Sequence, residues 1–130
     1  MSEQLIQVNH YDLVESVDAY LGASQALKER TEKDGHSGVL GYQFFVNPVQ
    51  KTAGMVITYI NAAVWMEHHE MAYQWEEMSE FQSKVKLRHF DLFGLLNDEV
   101  EAFIAEAQSN SGFVYSHYPQ MASGFIRTNM

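Results

Sequence analysis

The chain lacks cysteine altogether and is poor in proline and in basic residues. Without cysteine it can form neither a disulfide bond nor a metal site built on thiolates. Only 8 Lys and Arg stand against 17 Asp and Glu, which gives a formal net charge of -9. Such a chain repels phosphate backbones and anionic lipid surfaces, so we expect no nucleic-acid partner and no membrane partner.

Long hydrophobic runs are also missing. No apolar stretch approaches the roughly 18 residues that a membrane-spanning helix needs. The polar start, Met1 to Gln4, does not fit a signal peptide, and we expect a cytoplasmic protein. Among the 130 residues, 46% are hydrophobic and 13% aromatic. That supply is enough for one domain over 1–130 that buries roughly two thirds of its unfolded surface.

Hydrophobic periodicity alternates between the strand and helix types along the chain. A helix is expected to begin at Ser16 or Asp18 and to end near Gly35, and Asn47-Pro48 marks a turn between two strands. The pattern predicts strands over 5–13, 39–46, 54–60, 84–93 and 113–118, and further helices over about 61–78 and 98–108.

The order β-α-β-β-α-β predicts an α+β fold of the ferredoxin-like type, with a four-stranded antiparallel sheet. A C-terminal helix and tail follow from about 97, with Asn97 as the helix cap. The charges at 84, 86 and 88 favour an exposed or edge position for the fourth strand. The second and third strands are apolar on both faces, so both faces should be covered. We expect a homodimer in which two sheets pack face to face as a dimeric α/β barrel.

The helix that begins at Asn61 carries the most informative pattern. An advance of about 100° per residue places one stripe of side chains on its inward face. The stripe contains Asn61, Trp65, His68, Ala72 and Trp75, with His69 at its edge. Tryptophan at helical spacing is usually core packing, and Asn is a favoured helix cap. Several polar donors on one apolar wall are equally typical of a ligand pocket, so both interpretations stay open.

The topology and the Asn61-x-x-x-Trp65 spacing resemble the antibiotic biosynthesis monooxygenase family of dimeric α/β barrels over about residues 5–95. The resemblance implies that an Asn after the third strand and a Trp on the next helix line the site. Many members of that family oxidise polycyclic aromatic molecules without metal or flavin, and others cleave haem. The helical histidine stands closer to Trp65 here than in haem-cleaving members. The resemblance therefore implies catalytic roles for Asn61 and Trp65 without a cofactor, and it leaves either His68 or His69 in the place of the helical histidine of some members.

The chemistry of cofactor-free oxygenation suits these residue types. A base must deprotonate the substrate, and hydrogen-bond donors must stabilise the anion that passes an electron to oxygen. His68 could be the base, because imidazole titrates near neutral pH, and Asn61 and the Trp65 N–H could be the donors. The further ligand-binding residues predicted are His69, Trp75, Tyr42, Tyr59, His10 and His89.

The run from Glu67 to Glu70 contains two histidines but does not have the His-Glu-x-x-His spacing of a helical metal site. His89 and Asp91 share one strand face, where a surface pair is a simple interpretation. We therefore predict no metal site and no cofactor. No nucleophile motif, phosphate loop or dinucleotide fingerprint is present.

Two functions are compatible with these features. One is an enzyme resembling a cofactor-independent monooxygenase that acts on a small apolar or aromatic molecule. The other is a non-catalytic protein that binds a hydrophobic ligand similar to a fatty acid or a polyketide, because Met and aromatic side chains suit a flexible chain. A domain whose only partner is its own copy is a third possibility.

Overall fold

The computed structural model describes residues 3–127, so both ends of the predicted domain, 1–2 and 128–130, lie outside the described residues. Most predicted elements are present, with bounds within a few residues of those expected. In chain order they are β1 (Leu5–Leu13), α1 (Val17–Asp34), β2 (Val39–Asn47), β3 (Thr52–Tyr59), α2 (Ala62–Ala72), α3 (Glu76–Ser83), β4 (Val85–Phe93), α4 (Asp98–Ser111) and β5 (Val114–Tyr118).

The sheet has the order β2-β3-β1-β4-β5. The α+β ferredoxin-like prediction is confirmed, including the antiparallel hairpin of β2 and β3. The expectation of four strands is wrong by one strand, because β5 adds to the sheet in parallel with β4. The exposed edge expected for the charged part of the fourth strand is present, because β5 pairs only with residues 89–93 of β4 and leaves residues 85–88 paired to β1 alone.

The second predicted helix is interrupted. It was expected to reach about Met78, but α2 ends at Ala72 and α3 begins at Glu76. Trp75 takes an extended conformation (φ -83°, ψ 138°) between the two helices and is buried. The guanidinium of Arg30 lies 5.0 Å from the Trp75 ring centroid, so the break places this indole against α1. Cation–π contact and burial both stabilise that position.

Three helices begin at polar caps that the sequence predicts. The side-chain oxygens of Ser16, Asn61 and Asn97 each accept a hydrogen bond from the backbone N–H three residues further on. These bonds satisfy backbone donors that the first turn of a helix leaves without partners. In the part of the chain that the structure describes, no helix is long and apolar enough to cross a membrane.

The two faces of the sheet differ in what covers them. Along β1 and β3 every second residue is buried, and these residues face the helices. The other face keeps large apolar side chains exposed, among them Phe45, Phe93, Val114 and Tyr118. Phe93 and Tyr118 stack on this face with ring centroids 5.2 Å apart. We call it the open face.

Candidate functional site

A cavity of about 550 Å³ lies between the sheet and the helices that cover it. Its wall is largely aromatic and aliphatic, with a few polar side chains between them. Ligand sites for small molecules commonly have this size and this mixture. Of the nine residues predicted for the site, the cavity wall contains Trp65, His68, His69, Tyr42 and Tyr59.

The floor of the cavity carries a row of hydrogen-bonded polar side chains along β1. Trp65 Nε1 donates to Gln7 Oε1 at 2.7 Å, and Gln7 Nε2 donates to Asn9 Oδ1 at 2.8 Å. Asn9 Nδ2 then donates to the Tyr11 hydroxyl at 2.8 Å, which contacts Met55 Sδ at 3.8 Å. We call Gln7, Asn9 and Tyr11 the β1 polar row. Each member donates to the next, so the row holds the Trp65 indole in one orientation.

His69 forms one wall together with Trp65. The two rings stack with centroids 3.6 Å apart and planes 23° apart. His69 Nδ1 lies 2.7 Å from the backbone oxygen of Trp65. A carbonyl oxygen only accepts, so Nδ1 carries the proton and Nε2 is left as an acceptor. Burial lowers the pKa of His69 to about 4, so the ring is neutral near pH 7.

His68 is more deeply buried and has no such partner. The residue is only 2% exposed, and within residues 3–127 neither Nδ1 nor Nε2 has a hydrogen-bond partner. Burial, assisted by electrostatic interaction with His36, lowers the pKa of His68 to about 4. A buried polar ring without partners is uncommon in folded proteins and calls for an explanation. Because His68 lines the cavity, a bound molecule can supply the missing hydrogen bonds.

Two tyrosines surround His68. The Tyr42 and Tyr59 rings lie 5.8 Å and 6.2 Å from the His68 ring, measured between centroids. The buried Tyr59 hydroxyl has no hydrogen-bond partner among the described residues. Burial raises the pKa of Tyr59 well above its ordinary value of 10.0, so this hydroxyl keeps its proton and can donate it in a hydrogen bond.

The other four predicted residues lie outside the cavity wall. Asn61 caps α2, with Oδ1 accepting from the Val64 N–H at 3.0 Å. Trp75 packs behind His68, with ring centroids 5.9 Å apart. His10 and His89 sit on the open face, because side chains alternate along a strand and their neighbours at 11 and 90 face the helices.

The β1 polar row was not among the predicted site residues. Along β1 the side chains of Leu5, Gln7, Asn9 and Tyr11 share one face. Its other face, with Ile6 and Val8, is the more apolar one, which by pattern alone favours it for the core. The apolar residues at both ends of the row, Leu5 and Tyr11, are the signal that could have identified its face as buried.

Comparison with known proteins finds structural similarity. No protein-family model matches the chain, and no curated protein matches it. The crystal structure of MupZ from Pseudomonas fluorescens is similar over 97% of this chain and 96% of that one, with a TM-score of 0.72 and 16% identity.

Two further structures are similar over a smaller share of this chain. SnoaB, a cofactor-independent oxygenase from Streptomyces nogalater, has a TM-score of 0.57 and 6% identity over 74% of this chain and 96% of that one. A Bacteroides thetaiotaomicron protein of unknown function, described as a possible oxidoreductase, has a TM-score of 0.56 and 18% identity over 71% and 98%. The chain thus shares the ferredoxin-like α+β fold of these proteins, and its resemblance to the antibiotic biosynthesis monooxygenase family holds at the level of the fold.

Proposed function

We propose that this protein binds a small, mainly apolar or aromatic molecule in the 550 Å³ cavity and acts on it as a cofactor-independent oxygenase. The observation that carries the proposal is His68, a buried imidazole at the cavity wall without a hydrogen-bond partner in the described chain. A buried polar side chain without a partner lowers the stability of the empty protein, and a bound molecule that hydrogen-bonds to it restores that stability.

His68 is the proposed base. Its lowered pKa keeps the ring neutral at pH 7, so its unprotonated nitrogen is available to take a proton. A pKa of about 4 also makes it a weak base towards a molecule in water. In the cavity the substrate anion forms beside the new imidazolium, and the attraction between the two charges offsets part of that weakness.

The reaction proposed uses dioxygen as the only oxidant. His68 takes a proton from an acidic C–H bond, and the resulting carbanion passes one electron to O2. The two radicals combine into a carbon-bound peroxide, which becomes a hydroperoxide with the proton from His68 and then loses water to leave a carbonyl group. In sum, a CH2 group and O2 give C=O and H2O.

The resonance form of the anion with charge on oxygen needs hydrogen-bond donors. Of the two donors predicted from the sequence, Trp65 Nε1 already donates to Gln7, and Asn61 lies outside the cavity wall, where its Oδ1 caps α2. The Tyr59 hydroxyl is a donor without such a partner, and its ring lies 6.2 Å from the His68 ring. We therefore propose Tyr59 as the oxyanion donor and the stacked Trp65 and His69 rings as the wall that orients an aromatic substrate.

We further propose that a second copy of the chain covers the open face. Phe45, Phe93, Val114 and Tyr118 leave apolar surface exposed there. Two sheets packed face to face bury such side chains between them at a separation of about 10 Å. This arrangement is the homodimer that the sequence predicts.

One pair of measurements tests these proposals. Native mass spectrometry of freshly purified protein gives the oligomeric state and the mass of any retained ligand, which organic extraction then identifies. Oxygen uptake is next followed with a polycyclic anthrone as the probe, since its ring CH2 is acidic and its oxidation to a quinone is coloured. We expect a dimer and one O2 consumed per anthrone oxidised.

Variants separate catalysis from binding. His68→Gln removes the base and should lower kcat by a factor of about 100 to 10,000, while quenching of tryptophan fluorescence still reports anthrone binding. His117→Gln is the matched control, because His117 lies outside the cavity and bonds to the Gly94 backbone oxygen. If the unchanged protein binds anthrone but consumes no oxygen, the proposed enzymatic function is refuted, and the alternative of a non-catalytic binding protein remains. Absence of binding would refute the cavity as the site.

A further inference from the structure

Three side chains with metal-ligating atoms converge on the open face, away from the cavity. His10 of β1 and His89 of β4 are paired directly across the two strands. Asp91 follows His89 by two residues, so its side chain points to the same face. The spacing of these residues along the chain, 79 positions between the two histidines, gave no metal motif. The strand pairing brings them together.

The geometry of the group is that of a ligand set. His10 Nε2 lies 3.2 Å from Asp91 Oδ2, and His89 Nε2 lies 2.6 Å from Asp91 Oδ1. One ligand atom from each of the three side chains lies within 4.8 Å of the other two. Metal–ligand bonds to imidazole nitrogen and carboxylate oxygen are about 2.0 to 2.2 Å long. An ion between the three groups can therefore be reached by small side-chain rotations.

We propose that His10, His89 and Asp91 bind one divalent first-row transition-metal ion through the two Nε2 atoms and the carboxylate. Two imidazoles and one carboxylate on one side of the ion suit Zn²⁺, Co²⁺, Ni²⁺ or Fe²⁺, whereas Mg²⁺ and Ca²⁺ prefer sites made of oxygen ligands alone. Three protein ligands leave at least one coordination position open to water.

The surroundings favour this binding. A shallow cleft of about 420 Å³ adjoins His10 and His89 and gives an ion access from solvent. The nearby Arg88 is neutralised by Asp12, with Nη1 to Oδ2 at 2.9 Å, and the net charge of -9 attracts cations. A shift in the β1–β4 register beside His10 is of the kind that re-aims side chains at functional sites.

The site is independent of the proposed oxygenase. Its ligands lie on the face of the sheet opposite to the cavity, and none of the three lines the cavity wall. The proposal therefore stands if oxygen uptake fails, and oxygen uptake does not require it. In the homodimer proposed above, the ion would lie between the two sheets.

The test uses the full-length chain without an affinity tag, freed of metal with EDTA and then dialysed. Zn²⁺ is titrated into it by isothermal calorimetry, and Co²⁺ is followed by its visible absorption, which reports nitrogen and oxygen ligation directly. We expect one ion per chain with a Kd in the micromolar range or tighter. His10→Ala, His89→Ala and Asp91→Asn should each raise that Kd at least about tenfold.

Asp91→Asn keeps the size of the side chain, and circular dichroism verifies that each variant is folded. His117→Ala is the control, since it removes a histidine on another part of the sheet and should leave the Zn²⁺ titration unchanged. The proposal is overturned if Zn²⁺ binds only at millimolar concentration. It is equally overturned if tight binding persists in Asp91→Asn and His89→Ala, or if His117→Ala abolishes it.

Discussion

The β1 polar row gives the sharpest prediction about stability. Gln7 is buried, accepts from the Trp65 indole at 2.7 Å and donates to Asn9 at 2.8 Å. Gln7→Met keeps the length of the side chain and removes both bonds, which leaves the Trp65 N–H and the Asn9 oxygen without partners. Each buried group left unsatisfied costs about 1 to 3 kcal/mol, so the two together cost about 2 to 6 kcal/mol. Water in the adjoining cavity can replace part of this, and we expect a loss of about 2 to 4 kcal/mol.

Urea unfolding at 25 °C, followed by tryptophan fluorescence, measures that loss as a change in the free energy of unfolding. The matched control is Gln50→Met, which makes the same change at an exposed position of the turn between β2 and β3. It should alter stability by less than about 0.5 kcal/mol. If Gln7→Met were no more destabilising than Gln50→Met, the β1 polar row would not hold the Trp65 indole, and our reasoning about the cavity floor would fail.

Two further predictions concern protonation and capping. The pKa values of His68 and His69 are about 4 in the folded protein against 6.5 as the ordinary value, so the unfolded chain binds more protons between these limits. The contribution of the two neutral histidines to the free energy of unfolding should be complete above pH 6.5, and the free energy of unfolding should fall by about 2 kcal/mol per histidine from pH 7 to pH 5. Urea unfolding at both pH values checks this, and His68→Phe should lose about half of the pH effect; a flat profile in the unchanged protein would contradict it. Asn61→Ala should lower the free energy of unfolding by about 1 kcal/mol through loss of the α2 cap, whereas Asn61→Asp keeps the acceptor and the stability. Anthrone binding should be unchanged in both variants, and a large loss of binding in Asn61→Asp would show that the amide contacts the ligand.

Local signals in the sequence were enough to predict most of the fold. Period-two and helical patterns, together with the caps Ser16, Asn61 and Asn97, located the strands and helices. The two misplaced features depend on contacts between distant residues. The interruption before Trp75 is stabilised by Arg30 of α1, and the sheet has a fifth strand because the chain returns to add β5 beside the end of β4. Neither contact produces a local sequence signal at the position where it changes the structure.

The residues predicted for the site line the cavity only in part, on the helix as on the sheet. The inward stripe of α2 contains Trp65, His68 and His69, which line the cavity, but also Asn61 and Trp75, which do not. Among the strand residues, Tyr42 and Tyr59 line the cavity, whereas His10 and His89 do not. The alternating pattern of a strand does not show which of its two faces is buried, and only the tertiary fold determines which face a helix covers. His10 was therefore placed in the same site as Tyr42, although the sheet separates them.

The polar groups of the cavity form two sets. The difference between the two sets indicates where the polar group of a ligand would bind. The β1 polar row is satisfied within the protein, so a ligand gains little by contacting it. His68 and Tyr59 hold buried atoms without partners, and buried polar atoms are retained in that state chiefly where something else satisfies them. A ligand that places its polar group between these two side chains and its apolar body against the aromatic wall satisfies both requirements. The two side chains that lower the stability of the empty protein are thus the ones that we propose to act on a bound molecule.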